Sequence, residues 1–481
     1  MANSGLGGVI GKPIGTKKEK ILAGAPIGTF AYWDKDAAAP EGHLTFTETV
    51  RIDPGVYPDL EALIPADAAV LSLAANLANP APAADDQFGF SVAISGDYAI
   101  VGARLDDPSG VSDAGSAYIY FRSGTTWSLQ ATLPNPAPAT SDQFGYSVAI
   151  SGDYAIVGAR LDDPSGIGDA GSAYIYFRSG TTWSLQATLP NPAPTTSDEF
   201  GNSVAISGDY AIVGAFADDP SGVTNAGSAY IYFRSGTTWS LQTTLPNPEP
   251  ATSDRFGWSV AISGDYAIVG AYLDDPSGVG NAGSAYIYFR SGTTWSLQAT
   301  LPNPAPAADD QFGHSVAISG DYAIVGARFD DPSGVSDAGS AYIYFRSGTT
   351  WSLQATLPNP APTTSDEFGW SVAISGDYAI VGAFADDPSG IGDAGSAYIY
   401  FRSGTTWSLQ ATLPNPAPAD NDQFGFSVAI SGDYAIVGAF ADDPSGVTDA
   451  GSAYIYLNRQ AGVYLNPLPA SAEHKTIVRV E

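Results

Sequence analysis

Cysteine is absent from the chain, which removes disulfides, thiolate metal ligands and thiol nucleophiles from consideration while leaving the redox compartment open. Histidine is scarce: His43, His314 and His474 stand far apart in unlike contexts, so no histidine-based metal site or catalytic triad is expected. Lysine is confined to the ends, at Lys12, Lys17, Lys18, Lys20, Lys35 and Lys475. With 50 Asp and Glu against 19 Lys and Arg, the net charge is -31. Such a surface repels nucleic acid and anionic membrane, which need clustered cations to displace counterions. Neutral or cationic partners stay open. No apolar run reaches the length of a membrane-spanning helix, so no membrane insertion is expected. The stretch from Ile21 to Trp33 is broken by Gly and Pro and followed by Asp34-Lys35-Asp36, which does not suit a cleaved signal.

What the chain has in abundance is repetition. A cassette with the core F-G-x-S-V-A-I-S-G-D-Y-A-I-V-G-A starts at Phe88, Phe144, Phe200, Phe256, Phe312, Phe368 and Phe424, a period of 56 residues. Seven equal, strand-rich units predict a closed ring of blades. In the first copy, Ser91–Ser95 and Tyr98–Ala103 read as strands joined by Gly96-Asp97, a loop suited to a type II′ hairpin. Counting from that turn sets Ser95 opposite Tyr98, Ser91 opposite Gly102 and Phe90 opposite Ala103. The loop Asp106 to Gly115 leads to a third strand, Ser116–Arg122, and Ser123-Gly124-Thr125 turns the chain into a fourth, Thr126–Leu133. The expected fold is therefore all-β, a seven-bladed propeller of four-stranded antiparallel blades. Gly and Ala on the first two strands suit the crowded axis. Tyr118, Tyr120, Phe121 and Trp127 fill the wider outer layers as core, not as a cofactor box.

The seventh copy loses the T-T-W-S-L-Q-A-T-L strand after Tyr456, whereas Val70–Pro82 aligns with that strand and its Pro-rich exit. The N-terminal strand is thus expected to complete the last blade and remove its exposed edge. Val463-Tyr464-Leu465 is the alternative donor. These readings divide the chain into an anchoring arm, partly β (1–66, with a strand-like segment Leu44–Ile52), the propeller (67–457) and a C-terminal tail (458–481).

Phe88-Gly89 followed by Gly102-Ala103, seven times over, resembles the FG-GAP repeat family, whose best-known members form the seven-bladed propeller of integrin alpha subunits. The resemblance covers about residues 69–457 and implies a non-enzymatic binding or adhesion platform. Many repeats of that family carry a calcium loop, D-x-D-x-D-G, between their first two strands. Here the tight Ser95-Gly96-Asp97-Tyr98 turn occupies that place, so the family's calcium site is not carried over. A different acidic loop, D-D-P-S-G-x-x-[DN]-A-G, places Asp106, Asp107 and Asp113 around a turn, with Asn225 or Asn281 at the third position in two copies. Hard oxygen ligands of this kind suit Ca²⁺, but capping and solubilising a turn is the favoured account; the expectation is no cofactor, with Ca²⁺ at these loops as the alternative.

Large differences among the copies concentrate at few places, including the neighbour of the residue after V-G-A, which is Leu, Ala or Phe. The residue after F-G is Phe90, Tyr146, Asn202, Trp258, His314, Trp370 or Phe426, and the residue after V-G-A is Arg104, Arg160, Phe216, Tyr272, Arg328, Phe384 or Phe440. The hairpin register gathers them at the end of the ring away from the Gly-Asp turn. Neutral drift accounts for some variation, yet the fourth strand stays nearly uniform. Aromatic and Arg side chains anchor interfaces, so this face is expected to meet a glycan or protein receptor, the arm docking onto other structural proteins. The favoured role is a virus-particle component such as a phage tail, fibre or capsid-surface protein. The alternative is a bacterial cell-surface or secreted adhesion protein. Enzymes that act on polysaccharides rank lower, because catalysis needs one asymmetric constellation and the paired carboxylates recur in every blade.

Overall fold

The computed structural model describes residues 69–460 and the short strands Lys20–Ile21, Tyr32–Trp33, Val50–Ile52, Tyr464–Asn466 and Lys475–Val478. Residues 72–457 form one compact unit; the chain ends form another. In the smaller unit Val50–Ile52 pairs antiparallel with Lys475–Val478, which also pairs with Tyr464–Asn466. Arm and tail thus share one sheet. Of the segment Leu44–Ile52, the part before Val50 lies outside the described residues.

The larger unit is a seven-bladed propeller of four-stranded sheets. In the first blade the strands are Phe88–Ser95, Tyr98–Ala103, Ser116–Ser123 and Thr126–Leu133, all antiparallel. Successive first strands abut around the ring, and that of the seventh blade meets that of the first. The last blade contains Phe424–Ser431, Tyr434–Ala439 and Ser452–Gln460, and its outer strand is Ala69–Leu77. The N-terminal strand therefore closes the ring, and Tyr464–Asn466, the other candidate, pairs elsewhere.

Gly96 has φ of +59° and Asp97 is not left-handed, as a II′ hairpin requires. The register holds from Ser95↔Tyr98 to Ser91↔Gly102 and then shifts: Phe88, not Phe90, faces Ala103. Two extra residues, Gly89 and Phe90, bulge out of the ladder, and Gly89 takes a φ of +95° that only glycine adopts readily. The bulge has two results. Phe88 turns inward, fully buried, with Tyr118 and Tyr120 at 5.6 and 6.2 Å between ring centroids, and Phe90 is freed to point along the axial end.

The core lies between blades. At one interface Ile100, Ala117, Ile119 and Leu133 of the first blade pack against Phe144, Val148, Ile150, Val157, Tyr174 and Tyr176 of the second. Both neighbours contribute to the apolar burial, at about 1.5–3 kcal/mol per large side chain, so a lone blade would be left with an open face. Polar bonds stitch the outer layers. Tyr120 donates its hydroxyl to the Ala78 carbonyl (2.6 Å), Trp183 donates to Gln130 of the preceding blade (2.9 Å), and Arg178 stacks 4.4 Å over Tyr98 while pairing with Asp153. Gln130 is the extra residue of a second bulge, between Ile119 and Tyr120.

Candidate functional site

Because the F-G bulge sits where the first strands crowd the axis, the residue that follows it in each blade meets its neighbours. Phe90 lies 4.9 Å from both Phe426 and Tyr146, and Trp370 lies 5.1 Å from Phe426 and 4.6 Å from His314, which is 5.7 Å from Trp258. Asn202 donates to the Trp258 carbonyl (3.0 Å), and His314 donates through Nδ1 to that of Trp370 (3.2 Å). The residues after V-G-A form a second tier. Phe216 and Tyr272 flank Trp258 at 4.9 and 4.7 Å; Phe384 and Phe440 pack on Trp370 and Phe426 at 4.5 Å each. Arg104, Arg160 and Arg328 lay their guanidinium groups over Phe90, Tyr146 and Trp370 at 3.9, 4.0 and 4.6 Å. All the variable positions thus join one collar at one end of the ring.

The collar is packed, and its members are not equally available. Phe90, Asn202, Phe216 and His314 are buried, so they support the others; Tyr146, Trp258, Tyr272, Trp370, Phe384, Phe426 and Phe440 stay half-buried, as do the three arginines. His314 is held neutral: burial first, then the Arg328 cation, push its pKa well below 6.5. Burial also lowers Arg104, to about 10.

One contributing position was not singled out from the repeats, although it varies as sharply. The residue before F-G is Gln87, Gln143, Glu199, Arg255, Gln311, Glu367 or Gln423. Its side chain orients the collar arginines: Gln87, Gln143 and Gln311 each accept from Nε of the arginine in their own blade, at 2.6, 3.0 and 2.7 Å. The next blade supplies the counter-charge, with Arg160 to Glu199 at 3.1 Å and Arg328 to Glu367 at 3.4 Å. Burial raises the pKa of Glu367 to about 7, against the pull of Arg328.

Beside it, a buried aspartate recurs in every blade. Asp86 accepts from the Asn79 side chain (2.8 Å) and the Ala83 amide (2.7 Å) through one oxygen, fixing the Pro-rich exit of one blade to the start of the next.

The acidic loop is occupied by the chain's own donors. Asp106 accepts the Tyr118 hydroxyl (2.6 Å), and Asp107 accepts the Asp113 amide (2.7 Å). Ser109 and Asp113 are left-handed there, at φ of +58° and +52°. Among the described residues no group of three or more His, Asp or Glu side chains is placed to hold a metal ion, and the loop carboxylates keep these partners in place. They fit a capped turn.

The FG-GAP repeat model matches residues 72–120, 127–176, 183–232, 239–288, 295–344, 351–400 and 407–456. The chain belongs to the FG-GAP repeat family. Each matched FG-GAP unit starts in the outer strand of the preceding blade and runs through three strands of the next. The first unit therefore begins with the strand that closes the ring. A fold of this family fits a binding or adhesion role and a protein at or outside a cell surface, and no helix among the described residues is long and apolar enough to cross a membrane. A chain from a crystal structure of the mitotic checkpoint complex is similar in three dimensions, with a TM-score of 0.47 and 13% identity over 81% of this chain and 94% of that one. No curated protein matches the sequence.

Proposed function

We propose that this FG-GAP propeller is a non-enzymatic binding platform whose axial collar contacts a glycan or protein receptor. One observation carries the reading. Blades that are otherwise nearly identical exchange small residues such as Ala, Thr, Ser and Gly in their loops, whereas the changes among large aromatic, Arg, Gln and Glu side chains fall beside F-G and after V-G-A and meet in a single collar. Drift alone has no reason to spare the exposed outer strand, where Leu129 and its equivalents are retained in every blade at 41–46% exposure. Trp and Tyr supply large contact area at low entropic cost, Arg adds charge-assisted hydrogen bonds, and aromatic faces stack on sugar rings.

The chain ends support a tethered arrangement. The propeller is entered through Ala69–Leu77 and left through Ser452–Gln460, adjacent strands of one blade, and the ends fold into a unit of their own. We place the protein on a virus particle or another extracellular surface, with the smaller unit engaging structural partners. Glycan and protein arrays probed with the intact chain test the collar. Replacing Trp258, Tyr272 and Trp370 together by Ala is expected to reduce binding at least about tenfold; unchanged binding overturns the collar. Mass spectrometry of purified particles tests the location, and a processed N-terminus found on a bacterial cell surface would replace it with the adhesion-protein alternative.

A further inference from the structure

Of the four collar arginines, Arg255 precedes F-G and lies 5.0 Å over Phe216, while Arg104, Arg160 and Arg328 follow V-G-A and are built alike but not balanced alike. Each is oriented by the glutamine of its own blade, and two of them meet a glutamate from the next blade: Glu199 for Arg160, Glu367 for Arg328. For Arg104 the corresponding residue is Gln143, whose amide oxygen is already taken by Arg160. Arg104 keeps its Nε bond to Gln87 and its stack on Phe90. Among the described residues no carboxylate lies within ion-pair distance of it, and Asp113 acts on it only at longer range. A half-buried guanidinium without a counter-ion is costly, and a fork of free N–H donors matches a carboxylate bidentately.

The surroundings specify more than an anion. The Tyr146 ring lies between two cations, with Arg104 5.6 Å and Arg160 4.0 Å from its centroid, and the buried Phe90 backs it. Arg160 is paired with Glu199, so Arg104 is the unpaired cation beside Tyr146 on a body of net charge -31. A ligand with several adjacent negative charges is repelled by the body, whereas one carboxylate on an otherwise neutral molecule is admitted. A ring with apolar faces beside that carboxylate packs against the edge of the half-buried Tyr146, whose faces carry the two guanidinium groups.

We infer that the Arg104–Tyr146 sector of the collar is the subsite for a carboxylate-bearing sugar, of the uronic or sialic acid type. This rests on the collar reading above and adds the ligand class and the blades that read it. Orientation of Arg104 by Gln87 and omission of a glutamate at position 143 make the subsite, and the aromatic sector around Trp258 and Trp370 supplies neutral stacking.

Calorimetry on the intact chain tests it with two matched pairs: sialyllactose against lactose, and a galacturonic acid trimer against a galactose trimer. In at least one pair the acidic member is expected to bind about tenfold or more tightly, the scale of one charge-assisted hydrogen-bond pair; the pair that discriminates identifies the source of the carboxylate. Two variants should erase that difference while the neutral sugar still binds. R104Q removes the cation. Q143E gives Arg104 the counter-charge that Arg160 and Arg328 already have, using a residue this position holds in other blades, so folding is preserved. R122Q, at the opposite hairpin end, should leave both affinities alone. Equal binding of acidic and neutral members, or a preference that survives Q143E, overturns the subsite and leaves the collar standing. Binding of a glutamate-rich peptide with none of the four sugars overturns it in favour of a protein receptor. Failure of all these probes also overturns it, while the Trp258, Tyr272 and Trp370 replacement judges the collar separately.

Discussion

Gly438 of the seventh blade lies directly against Gly89 of the first: a Cβ built on Gly438 would stand 1.9 Å from the Gly89 carbonyl oxygen. Gly102 meets Gly145 in the same way at 2.0 Å, and the pairing repeats around the ring. The two glycines that mark the repeat are thus halves of one contact, made across a blade boundary. Gly110, in the acidic loop, has nothing within 4 Å of its ideal Cβ. Gly438→Ala is therefore expected to cost about 3 kcal/mol or more, since backbone cannot yield as a side chain does. Gly110→Ala should cost about 1 kcal/mol for its left-handed φ. Denaturant unfolding of the two variants checks the contrast.

Closure by the N-terminal strand predicts a second effect. Leu77 is 2% exposed in the core shared by the first and last blades, in contact with a cluster that includes Ile436, Ile455 and Leu457. Leu77→Ala should destabilise by about 2–5 kcal/mol. A chain starting after residue 78 should expose a sheet edge and associate, which light scattering would register. A monomer of unchanged midpoint would show that closure does not depend on this strand.

Buried aspartates set the pH dependence. Burial raises Asp142, Asp254, Asp310 and Asp422 from the ordinary 3.8 to about 6, and pushes Asp86, Asp198 and Asp366 in the same direction. Between these values the native state holds protons that the unfolded chain has released, so stability falls as pH rises through that window. The denaturant midpoint should be higher at pH 5 than at pH 8, by an amount worth on the order of 1 kcal/mol per aspartate. Self-repulsion of the acidic body acts in the same sense. Asp142→Asn, Asp254→Asn, Asp310→Asn and Asp422→Asn combined should flatten the profile if the buried sites dominate, and leave it steep if bulk charge does.

Because Asp106 and Asp107 are held by Tyr118 and the Asp113 amide, a chelator should leave the unfolding midpoint in place. Tyr118→Phe should instead cost about 1–3 kcal/mol by stripping Asp106 of its donor. A rise of several degrees on adding millimolar calcium would restore the metal reading.

Legibility in the sequence followed the length scale of the interaction. Strand limits, the hairpin at Gly96-Asp97 and closure by Val70–Leu77 are local patterns or alignments between copies, and all could be read in advance. The bulge at Gly89-Phe90 could not, because its cause is the carbonyl of Ser452 in the neighbouring blade, 2.3 Å from an ideal Cβ on Gly89. Period-two counting therefore put Phe90 where Phe88 belongs. The same bulge buried Phe90 and His314, which side-chain chemistry alone marks as contact residues. The division of labour among Gln87, Arg104 and Gln143 stayed hidden since its partners come from two blades and only distances reveal which arginine lacks a glutamate.

Closing the ring with its first strand also fixes an order of events during synthesis. At roughly 5–20 residues per second, Ala69–Leu77 leaves the ribosome on the order of tens of seconds before Ser452–Gln460 exists to receive it. Through that interval six near-identical blades accumulate, each with an outer strand suited to the same vacancy. The waiting strand, V-L-S-L-A-A-N-L in place of T-W-S-L-Q-A-T-L, has kept the Leu73 and Leu77 positions while losing the tryptophan and glutamine that bind a blade to its neighbour. Without that pair it has fewer bonds with which to compete against a resident outer strand before its own blade is made.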